Sequence, residues 1–415
     1  MKRAEPFFAA AATGLLLCGL LTAEATPPAN AANTANLTRG SNAFGFELYQ
    51  RLRQRPGNLV MSPASLTTAL ILAWVGARGE TAAQMRKVLH LEGTPDAVAD
   101  ASARLARSLQ EPARPVTVRI ANQLFGEKGY TLAPAYLKKA VAAFGAPLML
   151  LDFRKAPEPA RVQINQWVES TTEHRIKDLI PSGDVTADTK LVLVNAIYFL
   201  GDWARPFGSG GTKPAPFHLT AVAKKNVPTM HLVDELLTAQ KDGVTAVQLP
   251  YRGGELSMLL LVPDRIDGLA AVESTLDSRK IDGLVKAMHY GLVRLALPRF
   301  DLHPEALSLG EDLKALGMPL ALDRNRADFT GIANPPDPAD RLSITKVLHQ
   351  GFARVNEKGT EAGAATAVEL GPTGPPEEPR RVDVDRPFLF LVRDNTSGLI
   401  LFLGRVSDPA PRLTR

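Results

Sequence analysis

From Thr360 to Leu370 the chain alternates as a β-strand does, yet it runs directly into sequence that no central strand can contain. Read with period two, one face is Thr360, Ala362, Ala364, Thr366, Val368 and Leu370, and the other is Glu361, Gly363, Ala365, Ala367 and Glu369. Both carboxylates fall on the second face, which leaves the first uncharged and mostly small. A surface loop carries Asn, Asp, Ser and Lys, and an edge strand carries β-branched or aromatic residues; this stretch resembles neither. Pro372 lacks a backbone N–H, so an inserted strand ends near Leu370–Gly371. Beyond it Pro375, Pro376 and Pro379, with Gly371 and Gly374, describe an extended exposed loop that a protease can take as substrate. A segment able to pair in a sheet but flanked by loop sequence implies two conformations, with a kinetic barrier between them and free energy released on insertion.

The chain has 415 residues, 45% of them hydrophobic, enough for a large core in one big domain or two. Lys2 and Arg3 precede an apolar run from Phe7 to Leu21, and Ala23-Glu24-Ala25 follows, the layout of an export signal cut after Ala25. The expected division is a signal peptide at 1–25, a flexible segment at 26–36, the folded domain at 37–408 and a tail at 409–415. The apolar run is too short for a membrane span, and no later stretch reaches about eighteen uninterrupted apolar residues. A soluble, secreted protein, extracellular or periplasmic, is the expectation. Cys18 is the only cysteine, so the mature chain holds no thiol for a disulfide or a metal. Leu17, immediately before it, argues against lipid attachment. The formal charge is +5 and does not change when residues 1–25 are removed. The densest basic stretch, Arg104, Arg107, Arg114 and Arg119, reads as a solvated helix face and loop diluted by Glu111. Neither nucleic acid nor a polyanion is an expected partner.

Apolar spacing through Phe44, Leu48 and Leu52, then from Ser65 to Val75, predicts helices within residues 37–90. Leu191–Leu200 is a nearly continuous apolar run, which suits a strand buried on both faces of a large sheet. Ser257–Val262, Val293–Leu297, Phe388–Val392 and Leu399–Leu403 read as further strands, the last two joined by the hairpin signal Asp394-Asn395-Thr396-Ser397-Gly398. Helices early and strands late give an α+β fold class. There is no Gly-x-Ser-x-Gly elbow, phosphate loop, His-Glu-x-x-His or paired Cys-x-x-Cys. His174, His218, His231, His303 and His349 are scattered, and none stands at helical ligand spacing from another. Neither an enzyme nor a metal or cofactor site is therefore expected.

The stretch Glu357-Lys358-Gly359-Thr360-Glu361-Ala362 resembles the hinge of the serpins, and further matches follow in family order. They are Ser62-Pro63-Ala64-Ser65-Leu66, Gly76-Ala77-Arg78-Gly79-Glu80-Thr81, Asn195-Ala196-Ile197-Tyr198-Phe199 with Trp203, and Tyr251 before Glu255-Leu256-Ser257-Met258. Ala327-Asp328-Phe329-Thr330-Gly331-Ile332 and Arg386-Pro387-Phe388-Leu389-Phe390 complete a resemblance that runs from about Leu37 to Val406. It implies the serpin fold, with a large central β-sheet, surrounding helices and an exposed reactive-centre loop at about 357–386. It also implies the family's mechanism. A serine protease attacks the loop and forms its acyl-enzyme; the freed strand, Gly359 to Leu370, then enters the sheet and traps the protease before water releases it.

The resemblance also assigns residues. The hinge is Glu357, Gly359, Thr360, Glu361, Ala362, Gly363, Ala364, Ala365 and Thr366; Ser62, Ser65, Asn195 and His349 stand where the sheet parts; Trp203 and Arg299 stand where the loop inserts, Arg299 paired with Glu357. Taken without the family, His349 reads as a satisfied, partly buried histidine, Trp203 as core, and Arg299–Glu357 as a surface ion pair. In the family the scissile residue usually lies sixteen positions past the hinge glutamate, which is Thr373 here, before Gly374. Because the stretch to Phe388 is longer than usual, a site toward Pro376 or at Arg380–Arg381 stays open. Thr373 after Pro372 suits an elastase-like or subtilisin-like cleft, whereas Arg380–Arg381 suits a trypsin-like one. The expected protein is a monomeric inhibitor. Its rivals are a serpin that serves as carrier, chaperone or storage protein, and an exported enzyme of unrelated mechanism.

Overall fold

A computed structural model describes residues 29–109, 111, 114–144, 148–360 and 378–409. Residues 1–28, which include the expected export signal, the residues beyond 409, and Glu361 through Glu377, including Thr373 and Gly374, lie outside the described residues.

Elements are numbered in chain order. The helices are α1 (Ala29–Leu52), α2 (Pro63–Trp74), α3 (Gly79–Val88), α4 (Pro95–Leu109), α5 (Pro134–Phe144), α6 (Pro157–Thr171), α7 (Leu269–Ser274), α8 (Ser278–Lys286) and α9 (Gly310–Leu316). α2 is mostly apolar and buried at every position but Thr68, as a central helix must be. Its start is fixed by Pro63 in the first turn and by the Ser62 hydroxyl, which accepts from the Ser65 N–H at 3.1 Å. α1 begins at Ala29, so the segment expected to be flexible at 26–36 is helical from residue 29 onward. Its Ala- and Asn-rich first turns show no apolar period, and Arg104 of α4 donates to the Asn30 carbonyl.

Among the described residues the strands form two sheets. The first, of nine strands, contains β1 (Leu59–Met61), β5 (Lys213–His218), β6 (Lys224–Lys241), β7 (Val244–Pro250), β8 (Leu256–Pro263), β9 (His289–Pro298), β15 (Arg380–Asp383), β16 (Phe388–Asp394) and β17 (Ile400–Val406). β16 and β17 are the antiparallel hairpin that residues 394–398 signal. The second, of eight strands, contains β2 (Val116–Glu127), β3 (Met149–Leu151), β4 (Leu191–Asp202), β10 (Phe300–Leu302), β11 (Leu307–Ser308), β12 (Ile344–Gly351), β13 (Ala353–Val355) and β14 (Gly359–Thr360). With the helices this is the α+β class.

β4 is the axis of the second sheet. Leu191, Leu193, Ile197 and Phe199 join the main core, whereas Val192, Val194 and Ala196 pack in a separate cluster with Ile164 and Val168 of α6. That double burial is why its sequence is continuously apolar rather than alternating. β4 runs antiparallel to β2 and parallel to β12, but the β12 pairing stops at Gly351 opposite Ile197. Above that point the two strands part. β14 fills the gap, with Thr360 paired to Val355 of β13 on one side and to Gly201 of β4 on the other.

Candidate functional site

The chain that leads to the undescribed loop is held at its point of insertion by contacts from distant parts of the sequence. Glu357 lies under the surface, and its carboxylate accepts from Arg299 Nε at 2.6 Å, from the second Arg299 nitrogen and from the Thr212 hydroxyl. Burial by itself would raise the Glu357 carboxyl, but the Arg299 and Thr212 hydrogen bonds outweigh it and hold the group below the usual carboxylate range. The pair is lopsided: 9% of the Glu357 side chain is exposed against 46% of Arg299, so the cation keeps its water. Trp203 stacks on Tyr251 at 4.6 Å and donates from Nε1 to the Asn356 carbonyl at 3.0 Å. Its backbone N–H donates to the Lys358 carbonyl, and that of Phe207 to Glu357. Gly359 passes so close to β4 that a Cβ there would lie 2.0 Å from the Gly201 carbonyl oxygen, which excludes every other residue. Next to it the buried hydroxyls of Thr360 and Tyr251 meet at 2.7 Å.

A second polar network sits lower, inside the seam between β4 and β12. Asn122 of β2, Asn195 of β4 and His349 of β12 are direct neighbours across three strands. Asn195 donates from Nδ2 to Ser65 Oγ at 2.6 Å and to Asn122 Oδ1, while Asn122 Nδ2 donates to the Ser65 carbonyl at 3.2 Å. The Ser62 N–H donates to His349 Nε2 at 3.0 Å, so that nitrogen must be the acceptor. The proton is then on Nδ1, which faces Asn195 Oδ1. The structure thus brings Ser62, Ser65, Asn195 and His349 into one hydrogen-bonded group, and it places Trp203 and Arg299 together at the hinge.

Burial pushes the His349 imidazole down to about 3, against a smaller upward pull from Asn195. The folded state therefore holds the ring neutral while the unfolded chain protonates it near 6.5. Stability is complete above about pH 6.5 and falls as pH drops toward the folded value, at up to about 1.4 kcal/mol per pH unit. The melting temperature of the intact protein should decline between pH 6.5 and 5, above the range where carboxylates titrate. His349→Gln should flatten that slope in calorimetry; an unchanged slope would assign it elsewhere.

Sequence reasoning missed Asn122, Thr212 and the hydroxyl contact of Tyr251. Asn122 occupies an ordinary polar position in a strand, and Thr212 lies in a loop far from Glu357 in sequence, so no local pattern marks either. Arg104 and Arg107 are on α4, Arg114 contacts Glu255 and Asp394, and Arg119 on β2 faces Glu173. No cluster of three or more His, Cys, Asp or Glu fit to hold a metal occurs among the described residues, and no described helix is long and apolar enough to cross a membrane.

Comparison with known proteins gives the same architecture. The family model described as Serpin (serine protease inhibitor) matches residues 39–409. The leukocyte elastase inhibitor of Homo sapiens is 37% identical over 384 residues, covering 90% of this chain and 99% of that protein. That of Bos taurus is 39% identical over 385 residues, with the same two coverages. Among solved structures, Serpin48 of the insect Tenebrio molitor, described as highly specific, superposes with a TM-score of 0.80 at 30% identity over 90% of this chain and 98% of its own. Uncleaved ovalbumin superposes with a TM-score of 0.81 at 26% identity over 90% of this chain and the whole of its own. A family model that spans nearly the whole described chain, relatives matched over almost their full length, and a two-residue strand seated between parting strands all lead to one conclusion: the chain belongs to the serpin family.

Proposed function

We propose that this protein is a suicide-substrate inhibitor of serine proteases that traps the acyl-enzyme by inserting its cut loop between β4 and β12. The observation that carries this reading is the register of β14. Gly359 faces Asp202 and Thr360 faces Gly201, so each step forward along the loop is one step back along β4. Continued, this register puts Thr366 opposite Asn195 and Leu370 opposite Leu191, the first residue of β4. The length of the acceptor strand and the proline limit at Pro372 therefore end the inserted strand at the same place. Insertion must also break the rung between His349 and Asn195, since that pair lies in the seam to be opened. Ser62, Ser65, Asn195 and His349 then serve as the gate of the sheet, and Glu357, Arg299 and Trp203 as the latch at its upper end. The small hinge residues Gly359 through Thr366 favour fast insertion, which argues against a carrier or storage role.

The cut is assigned to Thr373–Gly374. Arg380 and Arg381, the rival site, belong to β15 and are paired with Val293 and Arg294 of β9, whereas a protease cleft needs a free extended segment. An elastase-like target fits the small Thr373 and the leukocyte elastase inhibitors among the relatives. The charge, apolar and small-residue layout of residues 1–25 supports secretion of the monomeric domain. The test is incubation with a panel of elastase-like, subtilisin-like and trypsin-like proteases. A covalent complex that survives boiling in detergent is expected with the first class, together with a released peptide that begins at Gly374. Digestion without any complex would return the protein to a non-inhibitory role.

The latch makes its own prediction. Glu357→Ala removes a carboxylate that two donors hold, but Arg299 stays half in water, so the loss should be about 1–2 kcal/mol. Packing and melting should change little, while mild warming should produce polymers or an inactive inserted form on native gels. Wild-type behaviour would reduce the pair to a surface contact.

A further inference from the structure

A cleft of about 700 Å³ lies beside β10, the edge strand at one end of the second sheet. One wall is residues 55–59, which join α1 to β1, and the other is residues 301–307, which run from β10 into β11; Arg354 and Arg405 complete the lining. Leu59, Leu302 and Leu307 contribute buried apolar surface to it, and Pro304 and Ala306 are half-buried. Each guanidinium of the lining already meets a carboxylate: Arg55 meets Asp312 at 2.7 Å, Arg354 meets Asp301 at 2.9 Å and Arg405 meets Glu273 at 3.1 Å. Glu305 is the acid left over, exposed and with no ion pair among the described residues. The cleft thus combines apolar surface with one unbalanced negative charge, along a sheet edge of the kind that proteins cover to keep other chains from pairing with it.

The same wall grips the chain as it leaves β17. Asn58 Oδ1 accepts from the N–H groups of Ser407 and Asp408 at 2.8 and 3.0 Å, and Asn58 Nδ2 donates to the Asp408 carbonyl at 2.7 Å. Pro409 is buried, and the residues after it are Ala410-Pro411-Arg412-Leu413-Thr414-Arg415, with two cations, no acid, and a proline and a leucine among them. We propose that residues 410–415 occupy this cleft along β10, with Leu413 on its apolar lining and an arginine paired with Glu305. The described contacts choose this occupant: its own chain is hydrogen-bonded to the wall at Asn58, its charge is opposite to that of the one unbalanced acid, and its apolar residues match the lining. The lengths agree as well, since residues 301–307 and 410–415 each extend about 20 Å as strands. A tethered segment meets its site at an effective concentration on the order of millimolar, so weak contacts hold it there. The proposal is independent of the inhibitory reading.

Two measurements on the full chain test it. The first pairs Ala306→Cys with Leu413→Cys in a Cys18→Ser background, so that no other thiol is present. Mild oxidation should close a disulfide within one chain, identified by mass spectrometry of the digested protein. The control pairs Leu413→Cys with Met149→Cys, on β3 and separated from β10 by β2, β4, β14 and β13, and should stay reduced. The second measurement is amide hydrogen exchange of the full chain against a chain stopped after Pro409. Without residues 410–415 the amides of residues 303–306 should exchange about tenfold faster, while those of β4 keep their rates. Cross-linking no greater than in the control would overturn the proposal, as would unchanged exchange at residues 303–306. Faster exchange shared by β4 would mean a general loss of stability and would also overturn it. Disulfides between chains rather than within one would make the cleft a contact between copies, with the same consequence.

Discussion

Cutting the loop just beyond Leu370 should raise the melting temperature by roughly 10 °C, where nicking a protein ordinarily lowers it. Thr360 is already paired on both sides, and the strand that remains to enter is Glu361 through Leu370, ten residues along the length of β4. Ordering each of them costs about 1–2 kcal/mol of backbone entropy. Each gains ladder bonds to both neighbours, at about 1 kcal/mol apiece net, and the side chains of Val368 and Leu370 leave water. The balance favours insertion by several kcal/mol, and in a domain of this length each kcal/mol moves the midpoint by roughly 1–2 °C. The uncut protein does not reach this state because the seam from Leu191 to Ile197 is closed by β12 and its tether spans the loop. Calorimetry before and after limited proteolysis, with the cut verified by mass spectrometry, checks this. A midpoint that stays or falls after a verified cut would remove the metastable state and the inhibitory mechanism with it.

Much of this was legible because the relevant signals are periodic. The apolar run of β4 and the hairpin at 394–398 each state their environment in consecutive residues. β1 was not legible, since three residues cannot display a period, and neither was β14, which is two residues long. The start of α1 was hidden because its Ala and Asn residues carry no stripe and gain their order from contact with α4. At the site, the family resemblance named His349 and Asn195, but not the row that joins them to Asn122 across β2, β4 and β12. If insertion continues the β14 register, Ala365 and Ala367 would come opposite Ala196 and Val194, both buried against α6.

Thr360→Arg should turn the inhibitor into a substrate. Thr360 is buried between Val355 and Gly201, and its hydroxyl meets that of Tyr251 within a stack closed by Trp203. Gly201 has no side chain because Phe199 and Tyr251 fill the space beside it, so no room exists there for a guanidinium. Burying it unpaired would cost about 3–5 kcal/mol, and every later residue of the strand must follow this one into the sheet. In the uncut protein the cost is avoided by leaving two residue pairs unmade, and the fold survives. Attack at the proposed Thr373–Gly374 bond, thirteen positions beyond Thr360, would not involve the insertion point, so acylation should proceed at the wild-type rate while insertion stalls and deacylation wins. The variant should be cleaved normally and inhibit almost nothing. Thr360→Ser keeps the hydroxyl and should inhibit nearly as wild type does. Glu361→Arg should be tolerated far better than Thr360→Arg, because its register partner Leu200 is only half-buried. Titrating the three variants against one elastase-like protease, with cleavage followed in parallel, gives the answer; equal inhibition by Thr360→Arg and wild type would mean that this position stays outside the sheet throughout the reaction.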